Sequence, residues 1–328
     1  PPSIKRLVFL LTKEDAALAA ARAGQVQLAH IPASVAKAPP EGMKIHVIKN
    51  QWHTGITLPY IPNTGQRTPK GNPIGNNITA DLAIRRAMNY AINRQLLIKG
   101  LLNGFGSPAM SPVPNGAPWQ EPTAEIADAD LKTARKILAA GGWHDSDGTG
   151  ILKKQGMKAE FSLIYPAQDR LRQGFVLAVA KMLKPVGIKV NVEGKSWDYI
   201  ERHMHSNPVI YVIRPSDPKT LQNIYYSPLA QQAWSNPSYY SNPLVDKAIE
   251  GAMTSTSEAQ ANVFWRKLQW DGQTGVTPKG DAAFMSLVNI DSTYVVSNCL
   301  NFGKQKNQNY RYNGTILDNI TTWKWVCK

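Results

Sequence analysis

The chain has few cysteines, few acidic residues and no long apolar run, and each shortage excludes a class of protein. Only two cysteines occur, Cys299 and Cys327, and they lie outside any C-x-x-C spacing, so neither a zinc site nor a thioredoxin-like site is expected. No apolar run approaches the roughly 20 residues that span a bilayer. The motifs G-x-S-x-G and H-E-x-x-H and the P-loop are missing, and the scattered acids show no recognisable pairing, so no enzyme is predicted.

The shortage of acids makes the chain strongly basic. It has 37 lysines and arginines against 23 aspartates and glutamates, which gives a formal net charge of +14. One interpretation is attraction to an anionic partner, such as an acidic ligand, a cell-wall polymer or nucleic acid. The other is a solvated basic surface. The basic residues are scattered, with no cluster tighter than Arg85 with Arg86 or Lys153 with Lys154, which favours the solvated surface and no nucleic-acid partner.

Hydrophobic periodicity predicts an α/β protein. With 328 residues, 43% of them hydrophobic, the chain is long enough for one large or two ordinary domains. Residues 161–165 and 188–192 alternate as strands do, and residues 171–182 between them repeat at the helical period, which predicts a layered α/β arrangement. The apolar run over residues 4–11 predicts a buried strand. The loop over residues 61–79, rich in proline and glycine, predicts a first domain boundary.

The most specific stretch of the sequence is residues 81–119. Residues 84–91 place apolar side chains on one helical face, and the later glycines and prolines stop the helix from resuming. The run R-A-M-N-Y-A-I-N-R over residues 86–94 and the run G-F-G-S-P-A-M-S-P-V-P over residues 104–114 resemble consecutive motifs of the large solute-binding proteins of ABC importers, which capture oligopeptides, dipeptides or nickel. Further matches extend the resemblance over almost the whole chain, at residues 130–143, 187–193, 241–246 and 323–325.

The resemblance implies an α/β, periplasmic-binding-protein-like fold of two lobes that is incomplete in this chain. Residues 1–64 are expected to form part of the first lobe, residues 65–285 the second (C-terminal) lobe, and residues 286–328 a tail that returns to the first lobe. Full members of the family are longer and begin with a secretory or lipoprotein signal. The chain opens at Pro1 without such a signal, so we expect it to be the C-terminal portion of a longer protein.

The function implied by the resemblance is non-catalytic capture of a solute, such as a peptide or a metal chelate, and its delivery to an ABC permease in the membrane. The ligand is expected in a cleft between the lobes. The protein would act outside the cytoplasm as a monomer, lipid-anchored in its full-length form, with no cofactor. The alternative is a basic surface protein that holds peptides or polyanions without transport. Neighbouring genes for a permease and an ATPase would separate these two interpretations.

Residues 211–218 are the first candidates for ligand contacts. In peptide-binding relatives the matching segment runs along the cleft, and an aspartate four residues before the final proline pairs with the α-ammonium of the peptide. Arg214 stands at that position here. A guanidinium would repel an ammonium and favour a carboxylate or phosphate, unless Arg214 points elsewhere. Tyr211, Ser216 and Asp217 are the other candidates in this segment.

Aromatic residues and histidines complete the candidate site. Trp52 and His53 match a segment that reaches the cleft in relatives, and Trp234 lies in a proline- and serine-rich loop. Aromatic side chains suit peptides, sugars and metal chelates alike. His203 and His205 are too few for a metal site, so structural roles are expected for them, although a position of His205 near the cleft stays open.

Two further features have alternative interpretations. The run D-S-D-G-T-G over residues 145–150 resembles the start of a calcium loop but lacks the closing glutamate, which predicts a polar turn instead. Cys299 and Cys327 would pair in an oxidising exterior and staple the C-terminal segment; alternatively, they are two separate buried thiols.

Overall fold

The structure is a computed structural model and describes residues 3–12, 14–213, 217–230, 232, 234–303 and 316–327. Its helices are α1 (Glu14–Arg22), α2 (Leu82–Ala91), α3 (Arg94–Leu101), α4 (Leu131–Ala140), α5 (Arg170–Leu183), α6 (Trp197–His203), α7 (Lys219–Tyr225), α8 (Pro243–Thr254) and α9 (Glu258–Gln269). Its strands are β1 (Leu28–Ile31), β2 (Met43–Thr57), β3 (Gly106–Pro108), β4 (Lys153–Lys154), β5 (Met157–Lys158), β6 (Glu160–Pro166), β7 (Lys189–Lys195), β8 (Val209–Ile213), β9 (Phe284–Ser297), β10 (Leu300–Asn301) and β11 (Lys324–Trp325). No helix in the described ranges has the length and apolarity that a membrane crossing requires.

One mixed sheet organises these elements. Its strand order is β1-β9-β2-β8-β6-β7, with β3 also paired to β9. Strand β6 runs parallel to β7 and β8, whereas β9 is antiparallel to β1, β2 and β3. The long strands β2 and β9 pair over most of their length, with a register shift between Ile48 and Trp52. The sheet therefore has a parallel part around β6 and an antiparallel part around β9.

Helices cover both faces of the sheet. Side chains of α2, α3, α4 and α5 form one core with Leu163 of β6 and Val288 of β9. Side chains of α7, α8 and α9 form a second core with Phe284 at the start of β9. Ile164, the neighbour of Leu163, packs instead with Ile200 of α6, as the alternation of side chains along a strand requires. The predicted α/β layering is confirmed.

Polar side chains fix where the helices begin. Asp81, Asp130, Asp169, Ser196 and Ser257 each accept a hydrogen bond from a backbone N–H of the first turn that follows. Such caps stabilise a helix by about 1 kcal/mol each. Asp169 and Ser196 matter most for the site, because they start α5 and α6 three residues and one residue after β6 and β7 end.

The helical pattern before Gly104 forms two helices rather than one. Ile92 is extended, and the Asn93 side chain caps α3 by accepting a hydrogen bond from the Leu96 N–H at 2.9 Å. Arg94 is fully buried at this break, and its guanidinium lies 2.9 Å from a carboxylate oxygen of Asp128. It also donates to backbone carbonyls of neighbouring segments. The buried ion pair therefore holds the break in place.

The prediction of a buried strand over residues 4–11 is wrong. These residues lie in no strand, and the five side chains from Leu7 to Leu11 are 40% to 95% exposed. Ile4 alone packs partly against a core cluster, near the hydrogen bond from the Ser3 hydroxyl to the Trp323 carbonyl. An apolar composition suits a strand, but a strand also needs a neighbouring strand to pair with. In the described sheet no strand pairs with residues 4–11.

The loop over residues 61–79 packs closely against the rest of the chain. Gly75 donates its N–H to the His205 carbonyl at 2.9 Å, and its φ of +90° favours glycine. A Cβ at Gly75 would lie 2.4 Å from the Pro62 carbonyl oxygen, so the turn has no room for a side chain. The domain boundary predicted here stays a prediction.

The C-terminal segment covers the antiparallel part of the sheet. Leu300 and Trp323 belong to a core cluster with side chains of β2 and β9. Strand β11 pairs with β10, and next to this pair the sulfurs of Cys299 and Cys327 form a disulfide. The disulfide therefore ties the end of this segment, at Cys327, to Cys299 next to β9.

Candidate functional site

The carboxyl ends of β6, β7 and β8 meet at one edge of the sheet, which we call the carboxyl edge. The last residues of β6 and β7 are register partners, Pro166 and Lys195, and β8 ends nearby at Ile213. In open α/β sheets ligands bind outside the carboxyl ends of parallel strands, where loops and helix starts supply side chains. The carboxyl edge is therefore the first place to look for a site.

A half-exposed tryptophan stands at the carboxyl edge. Trp197 is the first residue of α6 and is placed there by the Ser196 cap, whose hydroxyl accepts the Tyr199 N–H at 3.2 Å. Its side chain is 50% exposed. The Arg172 guanidinium lies over the indole at 5.2 Å from its centre, and the Trp234 ring meets it edge-on at 5.9 Å. Two contacts thus hold an indole that still presents a large apolar surface.

Arg172 reaches the same edge from the first turn of α5. Its N–H and its guanidinium both contact the helix cap, Asp169, at 2.9 Å and 3.2 Å. Its Nε is buried without a hydrogen-bond partner among the described residues. Burial lowers the pKa of Arg172, while the Asp169 carboxylate raises it. Because an arginine normally titrates above about 12, the guanidinium remains charged at neutral pH.

Tyr211 and Trp234 support the indole from the side of β8. The Tyr211 hydroxyl donates to the Trp234 carbonyl at 3.0 Å, and the two rings lie 6.2 Å apart. Burial raises the pKa of Tyr211 to about 12, so the hydroxyl stays a donor at neutral pH. The structure brings these two predicted site residues together, and Trp234 in turn contacts Trp197.

A second ring and cation lie nearby on β7 and α6. The Lys195 ammonium is 4.8 Å from the centre of the Tyr199 ring, which stacks on His203 at 3.9 Å. Lys195 also pairs with Glu193 at 2.8 Å, and this partner raises the pKa of Lys195. His203 is thus a ring-stacking residue whose Nδ1 contacts the Tyr199 carbonyl, which fits the structural role expected for it.

His53 has no surface on which a ligand could lie, contrary to the expectation from the sequence. It is fully buried in β2, and its Nδ1 donates to the Asn289 side-chain oxygen at 3.0 Å. Burial is the main cause that lowers the pKa of His53 to about 4; the Arg94 charge acts in the same direction and the Asn289 hydrogen bond against it, so the ring is neutral at pH 7. The physical reason is that His53 packs against Phe284, which belongs to the core that α7, α8 and α9 form on this face of the sheet.

His205 is also buried, being 5% exposed. Its Nδ1 donates to the Pro237 carbonyl at 2.9 Å, and its ring packs edge-on against Tyr239 at 4.7 Å. Burial lowers the pKa of His205, which keeps the ring neutral at pH 7. The structure therefore gives His205 a packing role and removes it from a ligand-facing position.

The remaining candidates lie apart from the indole or outside the described residues. Trp52 is half-buried where β2 shifts register against β9, opposite Ile290. Asp217 is exposed, and its carboxylate accepts the Lys219 N–H at 2.8 Å at the start of α7. Arg214 and Ser216 lie outside the described residues, so their roles stay predictions.

Within the described ranges no group of three or more histidine, cysteine, aspartate or glutamate residues could hold a metal ion. In the 145–150 loop, the Asp145 carboxylate accepts the Gly150 N–H at 3.0 Å and Asp147 contacts Thr149 and Lys153. These carboxylates are satisfied within the turn, which agrees with the polar turn that the sequence predicts.

Sequence reasoning missed Arg172 and Trp197. The signal that could have found them was local. Trp197 directly follows the cap Ser196 after β7, and Arg172 lies three residues after the cap Asp169, which follows β6. Positions beyond the carboxyl ends of parallel strands are where side chains of an α/β sheet reach a ligand. Neither residue belongs to a recognisable motif, and the contact between them is formed by two different helices, α5 and α6. With Tyr211 and Trp234, they make the carboxyl edge the candidate site of the structure.

Comparison with known proteins identifies the group to which this binding protein belongs. The family profile described as bacterial extracellular solute-binding proteins, family 5, middle part, matches residues 1–237. The chain belongs to this family of non-catalytic solute-binding proteins. The family that the motifs in residues 86–114 resemble is thereby confirmed.

Individual relatives agree with this assignment. Protein XP55 of Streptomyces lividans is 31% identical over 301 residues, which are 90% of this chain and 52% of that protein. The oligopeptide-binding protein AppA of Bacillus subtilis (strain 168) is 26% identical over 198 residues, which are 58% of this chain and 33% of AppA. The chain thus spans about half the length of the first relative and less of the second.

Solved structures share the fold. The structure of AppA from Bacillus subtilis in complex with a nonapeptide matches with a TM-score of 0.72 at 20% identity, covering 96% of this chain and 59% of AppA. NikZ from Campylobacter jejuni in complex with Ni(L-His) matches with a TM-score of 0.68 at 18% identity, covering 94% of this chain and 59% of NikZ. The predicted α/β, periplasmic-binding-protein-like fold, incomplete relative to these proteins, is confirmed.

Proposed function

We propose that this chain captures a small ligand at the carboxyl edge, without changing it chemically, for delivery to an ABC importer. The observation that carries the proposal is the half-exposed indole of Trp197, held between Arg172 and Trp234. Apolar surface removed from water contributes about 25 cal/mol per Å², so covering an indole would supply a useful part of a binding free energy. Because neighbouring side chains already hold the ring, little further ordering is needed on binding.

The names of relatives support a ligand in the range from peptides to metal chelates. They include an oligopeptide-binding protein, a nickel-binding periplasmic protein and glutathione-binding proteins. We propose a peptide or a similar small ligand for this chain, an ABC permease as the membrane partner, and a location outside the cytoplasm.

We propose that the site also includes Tyr211 and the segment that follows β8. Tyr211 holds the Trp234 loop through its hydroxyl, and residues 214–217 follow directly from the carboxyl end of β8. Arg214, Ser216 and Asp217 would then extend the carboxyl edge, with Arg214 favouring an anionic group. The buried residues His53 and His205 are not part of the proposed site.

The two-lobe arrangement is proposed on the course of the longest strands. Strands β2 and β9 run from the side of the sheet where β2 pairs antiparallel with β8 to the side where β9 pairs with β1. Their register shifts next to Trp52, and Lys49 forms an ion pair with Asp291 at 2.8 Å there. We propose that the chain crosses between the lobes at this shift. Residues 53–64 and 286–290 would then belong with residues 65–285 rather than with the first lobe, because Ile56 and Val288 pack in the core that α2 to α5 form.

Calorimetric titration of tryptophan variants tests the proposed site. The probes are glutathione, a synthetic nonapeptide and Ni(L-His), chosen from the ligands in the names of relatives. Trp197→Ala should weaken the binding of any probe that binds by about ten- to hundredfold, because it removes about 1.5–3 kcal/mol of ring burial. The matched control is Trp325→Ala, since Trp325 is 49% exposed but lies in β11. Equal affinity for wild type and Trp197→Ala, or binding of no probe, would contradict the proposal.

A further inference from the structure

We infer that Arg172 makes the Trp197 subsite select ligands that present an uncharged or anionic ring over ligands that present a cation. The inference rests on the proposed function, because it assumes that the ligand covers the exposed indole. It goes further by assigning a charge class to the ligand and by assigning the selection to one side chain outside the segment that the sequence analysis singled out.

The geometry of the stack carries the inference. The Arg172 guanidinium lies over one side of the Trp197 ring, 5.2 Å from its centre. A cation is attracted to the face of an aromatic ring because the π-electrons make that face negative. Arg172 already uses this attraction. A second cation that contacts the exposed half of the indole would therefore meet a ring whose negative face is already compensated, and the Arg172 charge would repel it.

The size of the effect follows from Coulomb's law. A ligand cation that contacts the exposed part of the ring would lie about 10 Å from the guanidinium, when a distance of about 5 Å from the ring centre to each cation is assumed. At that separation two positive charges repel by roughly 0.4 to 1.7 kcal/mol for effective dielectric constants between about 80 and 20, which is about two- to twentyfold in affinity. Asp169 offsets part of the charge, so the lower half of this range is expected.

The second cation of the carboxyl edge has the same sign and provides a control. Lys195 lies over Tyr199 rather than over Trp197, at 4.8 Å from the ring centre. Like Arg172, it is paired with one carboxylate, that of Glu193 at 2.8 Å. A change at Lys195 therefore removes one positive charge from the edge without altering the stack on the indole.

Three probes that share an indole ring and differ in charge test the inference. Indole-3-acetate, indole-3-acetamide and tryptamine carry charges of about −1, 0 and +1 at pH 7, and their dissociation constants for the 328-residue chain are measured by ligand-observed NMR. We expect tryptamine to bind about two- to tenfold more weakly than the acetamide, and the acetate to bind at least as well as the acetamide. Arg172→Gln should remove this ranking, Arg172→Lys should keep its direction, and Lys195→Gln should leave the ratio of acetamide to tryptamine affinity within about twofold.

The outcomes separate this inference from the proposed function. If Trp197→Ala weakens all three probes but Arg172→Gln leaves their ranking unchanged, or if tryptamine binds best, the charge selection is wrong and the site stands. If Trp197→Ala changes none of the affinities, or if wild type binds none of the probes at 10 mM (roughly the weakest useful affinity), the subsite itself is wrong. Thermal unfolding of each variant confirms that it is folded, since Arg172 is mostly buried.

Discussion

The disulfide between Cys299 and Cys327 should contribute measurably to stability when the protein is oxidised. It closes a loop with a sequence separation of 28 residues. The chain-entropy model assigns such a loop about 3.5 kcal/mol through restriction of the unfolded chain. For a cooperative unit of this length, an entropy of unfolding near 2.1 cal/mol/K per residue converts that free energy into a decrease of about 5 °C in Tm when the bond is lost.

The assay compares wild type with the double variant Cys299→Ser/Cys327→Ser by thermal unfolding, followed by near-UV circular dichroism. The double variant avoids a single reactive thiol. Thiol titration of unreduced, denatured wild type should find no free thiol. Two titratable thiols, or equal Tm values for the two proteins, would refute the reasoning.

Three further predictions concern the stability of the fold. His53 has a pKa of about 4 in the folded protein against 6.5 when exposed, so the unfolded chain binds the proton more strongly. The free energy of unfolding should therefore fall by up to about 3 kcal/mol as the pH drops from 6.5 to 4. In urea unfolding, His53→Gln should flatten this part of the pH profile. Gly55→Ala should destabilise the protein by about 1–3 kcal/mol, because the new Cβ would lie 2.1 Å from a ring carbon of Phe284 in β9. Gly100→Ala, whose Cβ would meet no atom within 4 Å, should stabilise α3 by about 0.5–1 kcal/mol. Equal unfolding midpoints for these two variants would contradict the packing. Asp128→Ala should cost about 3–5 kcal/mol by leaving the buried Arg94 guanidinium without its carboxylate, and a loss below about 1 kcal/mol in denaturant unfolding would show that the pair is not needed.

The sequence predicted the layered fold because the signals for it are local. Alternation in residues 161–165 and the helical period in residues 171–182 each depend on neighbours in the chain, and both elements are present as β6 and the core of α5. Capping side chains such as Asp169 are equally local. The motifs over residues 86–114 also indicated the family without any information about packing.

The candidate site was only partly predictable, because it depends on contacts between distant segments. Trp234 contacts both Tyr211 of β8 and Trp197 of α6, and no local pattern in the sequence reports contacts between such distant segments. For His53, the sequence shows a polar residue in a strand but not that three helices cover that face of the sheet. For residues 4–11, it shows an apolar run but not the absence of a strand beside it in the described sheet.

The measurement that tests the central claim most directly is the response of the tryptophan side chains to ligand. The chain has nine tryptophans, and each indole N–H gives one signal in a nitrogen–proton NMR spectrum, which single Trp→Phe variants assign. Saturation with whichever of the nonapeptide, glutathione or Ni(L-His) binds in calorimetry should move the signals of Trp197 and Trp234 most. Trp143, which is buried in the opposite core, and Trp325 should stay in place. Largest shifts at Trp325, or no shift at Trp197 when a ligand is bound, would contradict a binding site at the carboxyl edge.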